Sequence, residues 1–309
     1  MPVPSLGGNA ATLYELGGIH VTSLSEALGA EITGVDLSQD FSEAAFAAIH
    51  RAWLEYGVIL IRDQQLADAD LVRVSRRFGD LDLGPRMAWQ ASSENEMFPE
   101  IYVVSNVVEN GEPIGYLGSQ ELDWHTDMSH TEMPPKASTL YALEIPADRS
   151  GRTGFMNLYR VLDALPEPLR HQIDGRQMKH DPAHTIHGDL RVGYRADAFE
   201  DIAQAPGPVH PMVRTHPETG RKALYLGRQW NGSWRSGYIM GLSRAESDRL
   251  QDTLWDIVRE EQFVWYHDWR VGDYLMWDNR CVMHHREPFN ADMRRVMHRT
   301  QIRDIQSPR

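Results

Sequence analysis

Tyr274-Leu275-Met276-Trp277-Asp278-Asn279-Arg280-Cys281-Val282-Met283-His284-His285 holds two strand-like runs in succession. Residues 274–277 are apolar and aromatic, as in a buried strand, and the second run ends in two adjacent histidines. Neighbouring strand residues point to opposite faces, so only one of His284 and His285 faces a given pocket. Comparable short runs recur at residues 101–108, 138–145, 153–158, 209–215, 223–226, 263–269 and 296–302. Many short strands separated by Gly and Pro predict a mainly β protein, a sandwich or jelly roll, with flanking helices.

The flanking helices have their own signals. Ser42 opens a stretch in which Phe46, Ile49 and Trp53 recur at helical spacing up to Gly57, and residues 58–61 follow as a buried strand. Asp70 as a cap, the stripe Leu71, Val74 and Phe78, and Gly79 as a stop predict a second helix. A late helix is marked by the capping-box pair Ser243 and Glu246 and the stripe Leu250, Leu254, Ile257 and Val258, and is expected on the outside of a sheet. Residues 1–16 read as a loose start and residues 181–211 as a long loop or lid insertion in a single domain spanning 1–309.

Charge narrows the partners. The chain has 44 acidic against 31 basic residues, a formal charge of −13, which repels nucleic acid and anionic membrane surfaces. An anionic small substrate must therefore be met by local arginines. The single cysteine, Cys281, excludes an internal disulfide framework and a Cys-rich zinc site, and fits a reducing, cytoplasmic setting. The first residues lack the basic start and apolar core of a signal peptide, and no run of 18 apolar residues occurs.

Trp124-His125-Thr126-Asp127 sets an imidazole and a carboxylate two residues apart, on one side of an extended segment, where both can share one ion. One of the histidine pair 284/285 supplies a distant third ligand. Two histidines and one carboxylate leave positions open for a co-substrate and oxygen on iron(II); zinc with Asp123 or Glu121 as general base is the alternative at this level. Arg295 and Arg299, four apart in the run 296–302 and its approach, put two guanidiniums on one strand face, each able to hold a carboxylate in bidentate fashion.

Together these residues resemble the taurine dioxygenase family, which includes dioxygenases that degrade chlorophenoxyacetate herbicides. The resemblance runs from Gly29-Ala30-Glu31-Ile32-Thr33-Gly34-Val35-Asp36-Leu37 through Ile61-Arg62-Asp63-Gln64, Arg77-Phe78-Gly79 and Trp124-His125-Thr126-Asp127. It continues through His210-Pro211-Met212-Val213-Arg214-Thr215-His216-Pro217, Trp277-Asp278-Asn279-Arg280 and Met297-His298-Arg299. It implies a double-stranded β-helix (cupin-like), and iron(II) on His125, Asp127 and His284, the last being four residues after the Arg of Trp-Asp-Asn-Arg. It also implies hydroxylation of a small organic acid, a carboxylate or sulfonate, with oxygen and with decarboxylation of 2-oxoglutarate to succinate. Matching positions assign Arg295, helped by Thr153, to the distal carboxylate of 2-oxoglutarate, and Arg299 to a place near the iron and the substrate anion. His285 is expected to be structural.

Departures from the family limit what can be carried over. Gly84 stands where taurine-specific members supply a histidine, which disfavours taurine itself. The aromatic loop Gln229-Trp230-Asn231-Gly232-Ser233-Trp234-Arg235-Ser236-Gly237-Tyr238 is expected at a subunit contact of a homo-oligomer, a dimer or tetramer. His180, His184 and His187 are read as solvated or pocket-lining rather than as a second metal site, and Arg86, Met87, Met128 and His130 equally as neighbours of the substrate or as packing residues. Two other function classes compete: a non-catalytic metal- or ligand-binding jelly-roll protein and a zinc hydrolase in which Arg295 has no role.

Overall fold

Residues 58–61 show how the layers arise. In this computed structural model, which describes residues 12–83, 97–195, 202–229 and 235–309, Val58–Ile61 is a strand buried along its whole length. Val58 and Leu60 join the core cluster that contains Trp124, Phe155 and Met283; Ile59 and Ile61 join a second cluster containing Ile49, Trp53 and Phe78. Alternation along the strand thus serves two cores, one on each face of the sheet, which is why the run is continuously apolar. Leu275 and Trp277 against Tyr274 and Met276 in Tyr274–Asp278 repeat the division.

Among the described residues the larger sheet has ten strands. Its order is Thr12–Leu16, Ile19–Ser23, Ala30–Thr33, Val58–Ile61, Tyr274–Asp278, Ala137–Glu144, Val296–Arg299, Tyr102–Ser105 and Tyr116–Leu117, with Gln301–Ile302 also paired to Ala137–Glu144. A four-stranded sheet follows the order Val264–His267, Thr153–Asn157, Val282–Arg286 and Leu122–His125. The chain crosses repeatedly between the two. Leu122–His125 belongs to the small sheet, Ala137–Glu144 to the large, Thr153–Asn157 and Val264–His267 to the small, Tyr274–Asp278 to the large, Val282–Arg286 to the small and Val296–Arg299 to the large.

The first helix is Glu43–Tyr56, capped by the Ser42 side chain, which accepts from the Ala45 amide. It ends at Gly57 with φ 73°, where a Cβ would come within 2.9 Å of Val282, so glycine is needed both for the turn and for the close approach. The second helix is Asp68–Arg76. Asp70 is its third residue rather than its cap; its carboxylate accepts from the Ala67 amide, and Gly79 lies beyond the end. Arg244–Val258 is capped by Ser243 and Glu246 as expected. It lies beside Gly237–Ile239, an edge of a three-stranded sheet.

Several expectations need correction. Thr12–Leu16, expected loose, is a strand: Gly17 and Gly18, at φ 63° and 81°, turn it back onto Ile19–Ser23. The expected strand at 153–158 stops at Asn157, whose side chain caps the helix Leu158–Ala164, and Glu167–Ile173 is a further short helix. The expected strand at 209–215, whose first residues overlap the expected long loop, is present as two: Val209–Pro211, paired with Gln177–His180, and Val213–Thr215. The run 296–302 divides at Thr300, whose hydroxyl bonds to Ser75 and Thr139. Among the described residues no helix is long and apolar enough to cross a membrane.

Candidate metal centre

His125 ends the Leu122–His125 strand and His284 lies in Val282–Arg286, where the two are direct cross-strand partners with ring centroids 4.1 Å apart. Asp127 follows at the turn, and its Oδ1 stands 3.7 Å from Nε2 of each histidine. The donor atoms of all three lie within 4.8 Å of one another. The two adjacent histidines point to different surroundings. His284 faces the carboxylate, while His285, on the other face, stacks on Trp124 at 5.1 Å and bonds to Glu121 at 2.7 Å. Glu121 is thus engaged away from the ligand group, which removes one candidate base of the zinc alternative.

His125 and Asp127 are each held by a second partner, whereas Nδ1 of His284 is buried with none among the described residues. Nδ1 of His125 donates to the Asp123 carbonyl at 2.7 Å, leaving the Nε2 lone pair toward Asp127. Oδ2 of Asp127 accepts from Ser138 Oγ at 2.7 Å and from Nη2 of Arg299, so Oδ1 remains for an ion. Ser138 also takes a hydrogen bond from Asn279 Nδ2 at 3.1 Å, and Asn279 Oδ1 accepts from the Trp277 indole at 2.9 Å. From sequence Asn279 stands only as part of the Trp-Asp-Asn-Arg motif, with no role assigned to it, and Ser138 belongs to no spacing pattern that would mark it.

Burial would raise the Asp127 carboxyl, but Arg299 above all, then the two histidines and Ser138, hold it well below the usual carboxylate range. Burial pushes His125 down to about 4 against the pull of Asp127, and lowers His284 as well. Two neutral imidazoles beside one anion are the protonation states a divalent cation needs. Because the protonated imidazole is the disfavoured form, protons compete for the site only as pH falls toward the folded-state value. Iron(II) affinity of the folded protein, measured anaerobically against a competing chelator, is therefore expected to stay nearly level from pH 8 to about 5.5, where histidines of ordinary pKa, about 6.5, would lose affinity.

A second buried group, His216, Asp278 and Cys281, is closed by its own bonds. His216 Nε2 donates to Asp278 Oδ2 at 2.9 Å while its Nδ1 accepts the amides of Glu218 and Thr219. Arg280 binds Asp278 through Nε and Nη2 and reaches Glu218 at 2.6 Å. Burial pushes the Cys281 thiol up, so it stays protonated. This network underpins the Trp-Asp-Asn-Arg turn and offers no open donors to an ion.

Thr153, Arg295 and Arg299 differ in their partners. Arg299 bonds to Asp127 and Ser138. Arg295, 2% exposed, stands just before Val296–Arg299, and its Nε and Nη2 find no partner among the described residues. Burial, with Arg286 beside it, draws Arg295 down to about 9. Thr153 accepts from the Trp269 indole at 2.9 Å, which leaves its own hydroxyl proton to give.

His180, His184 and His187 separate. His180 is buried against His210 and Tyr225, whereas His184 bonds to Asp181, whose carboxylate also holds Arg228. His130 is pushed down to about 3 by burial and by the charges of Arg191 and Arg228, and Met128, at φ 51°, is exposed. Gly84, Arg86, Met87 and residues 230–234 lie outside the described residues.

Comparisons with known proteins agree with this geometry. A family model described as taurine catabolism dioxygenase TauD, TfdA family matches residues 20–301. An (S)-phenoxypropionate/alpha-ketoglutarate-dioxygenase of Sphingobium herbicidovorans is 29% identical over 91% of this chain and 94% of that protein. An alpha-ketoglutarate-dependent 2,4-dichlorophenoxyacetate dioxygenase of Cupriavidus pinatubonensis is 30% identical over 89% of this chain and 94% of that one. A crystal structure of a taurine dioxygenase from Burkholderia xenovorans superposes with a TM-score of 0.71 at 29% identity, covering 94% of this chain and 92% of that one.

Proposed function

The chain belongs to the taurine catabolism dioxygenase (TauD, TfdA) family, and from that premise we propose that it hydroxylates a small organic acid, a carboxylate or sulfonate, at a centre formed by His125, Asp127 and His284. It is an iron(II)- and 2-oxoglutarate-dependent dioxygenase. The observation that carries the site assignment is the convergence of His125 Nε2, His284 Nε2 and Asp127 Oδ1, with Oδ2 already taken by Ser138 and Arg299. Bound iron supplies the oxidation of the substrate C–H bond, coupled to loss of carbon dioxide from 2-oxoglutarate.

The residues of the chain hold and orient. Arg295, buried and short of partners, receives the distal carboxylate of 2-oxoglutarate, and the Thr153 hydroxyl donates to the same group. Arg299 fixes Asp127 through Nη2 and keeps a buried, unpartnered Nε for the acid group of the substrate. The apolar faces of the two sheets keep water from the reacting atoms. The alternation of strands between those sheets supports reading the architecture as a double-stranded β-helix.

The test is anaerobic titration of metal-free protein with iron(II) and 2-oxoglutarate. Wild type is expected to develop a visible charge-transfer band, and His284→Ala is expected to develop none. Folded wild type without a band would overturn the assignment. With the band in hand, succinate release in the presence of phenoxyalkanoates, alkyl sulfates and sulfonates identifies the substrate class.

A further inference from the structure

Arg286 sits in the Val282–Arg286 strand two residues beyond His284, on the same face, and directly opposite Thr153. Cross-strand partners of this kind hold their Cβ atoms about 5 Å apart, so the guanidinium stem rises beside the Thr153 hydroxyl. The side chain is 4% exposed. Nη2 donates to the carbonyls of Leu117 and Gln120, but Nε and Nη1 meet no partner among the described residues. Arg295 is in the same condition at Nε and Nη2, and the Phe289 ring lies 5.3 Å from the Arg286 guanidinium and 5.7 Å from that of Arg295.

Two buried guanidiniums with no carboxylate of the chain paired to them, among the described residues, are costly unless an anion completes them. Their open nitrogen atoms, together with the Thr153 hydroxyl, supply donors enough to fill the roughly four lone-pair positions of one carboxylate. The two-residue step from His284 to Arg286, about 7 Å along a strand, is on the scale of a five-carbon diacid reaching from a metal to a distal carboxylate. We propose that Arg286 shares the distal carboxylate of 2-oxoglutarate with Arg295, so that this enzyme selects its co-substrate with two guanidiniums. The proposal rests on the 2-oxoglutarate-dependent reading above.

The experiment compares 2-oxoglutarate with 2-oxobutanoate, which has the same chelating end and no distal carboxylate. Binding of each to anaerobic iron(II)-loaded protein is followed by tryptophan quenching in wild type, Arg286→Gln and Arg295→Gln. Arg286→Gln is expected to weaken 2-oxoglutarate about 10- to 100-fold, the range for a hydrogen bond to a charged group, and to leave 2-oxobutanoate within about twofold. A purely structural role, holding Leu117 and Gln120, would weaken both ligands alike, and that result overturns the proposal. Unchanged preference for 2-oxoglutarate in Arg286→Gln, with Arg295→Gln impaired, overturns this proposal alone. Wild type that binds neither ligand overturns the co-substrate reading and this inference together. Arg286→Lys, which keeps the charge but not the fork, carries the same comparison if the glutamine variant does not fold.

Discussion

Replacing Asp127 with alanine is expected to abolish iron(II) binding and all turnover, and to lower the unfolding free energy by about 3–5 kcal/mol. The first effect follows from the geometry: Asp127 Oδ1 is the one anionic donor among the three, and without it two neutral imidazoles face the ion alone. The second effect belongs to Arg299. Its side chain is 11% exposed and its Nη2 is bonded to the carboxylate, so the substitution leaves a buried cation with Ser138 as its remaining hydrogen-bond partner among the described residues. The two effects separate in a double variant. Asp127→Ala with Arg299→Met should recover most of the lost stability, measured by denaturant midpoint, while iron titration remains silent. Equal instability of single and double variants would mean that the stranded Arg299 cation is not the source of the loss.

Arg280→Met is expected to cost a similar amount, about 3–5 kcal/mol, with a different functional signature. Asp278 and Arg280 are both essentially inaccessible, and the carboxylate is held by Arg280 through two nitrogens and by His216. Removing the guanidinium strands an anion inside the protein and leaves Glu218 with His50 as its ion-pair partner among the described residues. Asp278→Asn combined with Arg280→Met removes both charges and should regain most of the loss in urea unfolding. Neither residue bonds to a metal-binding side chain, so the folded fraction of Arg280→Met should still bind iron(II). Loss of iron binding in protein that remains folded would show that the network positions the centre as well as supporting it.

The ligand group was legible because its chemistry is local at one end: His125 and Asp127 are two residues apart, and His284 follows a recognisable turn motif. Which of His284 and His285 faces Asp127 was a matter of strand phase, and in the structure it is His284, paired with His125. Ser138 was not legible, since a serine inside an apolar run carries no periodic signal and its role depends on Asp127 and Asn279 arriving from elsewhere. Arg286 was hidden for the same reason: its meaning comes from Thr153 across the sheet and Arg295 beyond it.

Fold errors have equally specific origins. The Thr12–Leu16 strand was masked by the glycine-rich composition around it, although two adjacent glycines are the residues a tight hairpin uses. The helices Leu158–Ala164 and Glu167–Ile173 are only seven residues each, too short to establish a periodicity before Pro166 interrupts them. Asp70 was placed at the right helix end with the wrong position, because a carboxylate can serve a helix start from the cap or from the third residue.

The pairing of His125 with His284 also sets the order in which the protein becomes reactive. More than half the chain separates the two in sequence, so their encounter closes a long loop, at an entropic cost that grows slowly with its length. A nascent or truncated chain ending before Val282 carries Asp127 and His125 without the strand that completes the set. The three candidate ligands are therefore brought together only where the strands Leu122–His125 and Val282–Arg286 have joined.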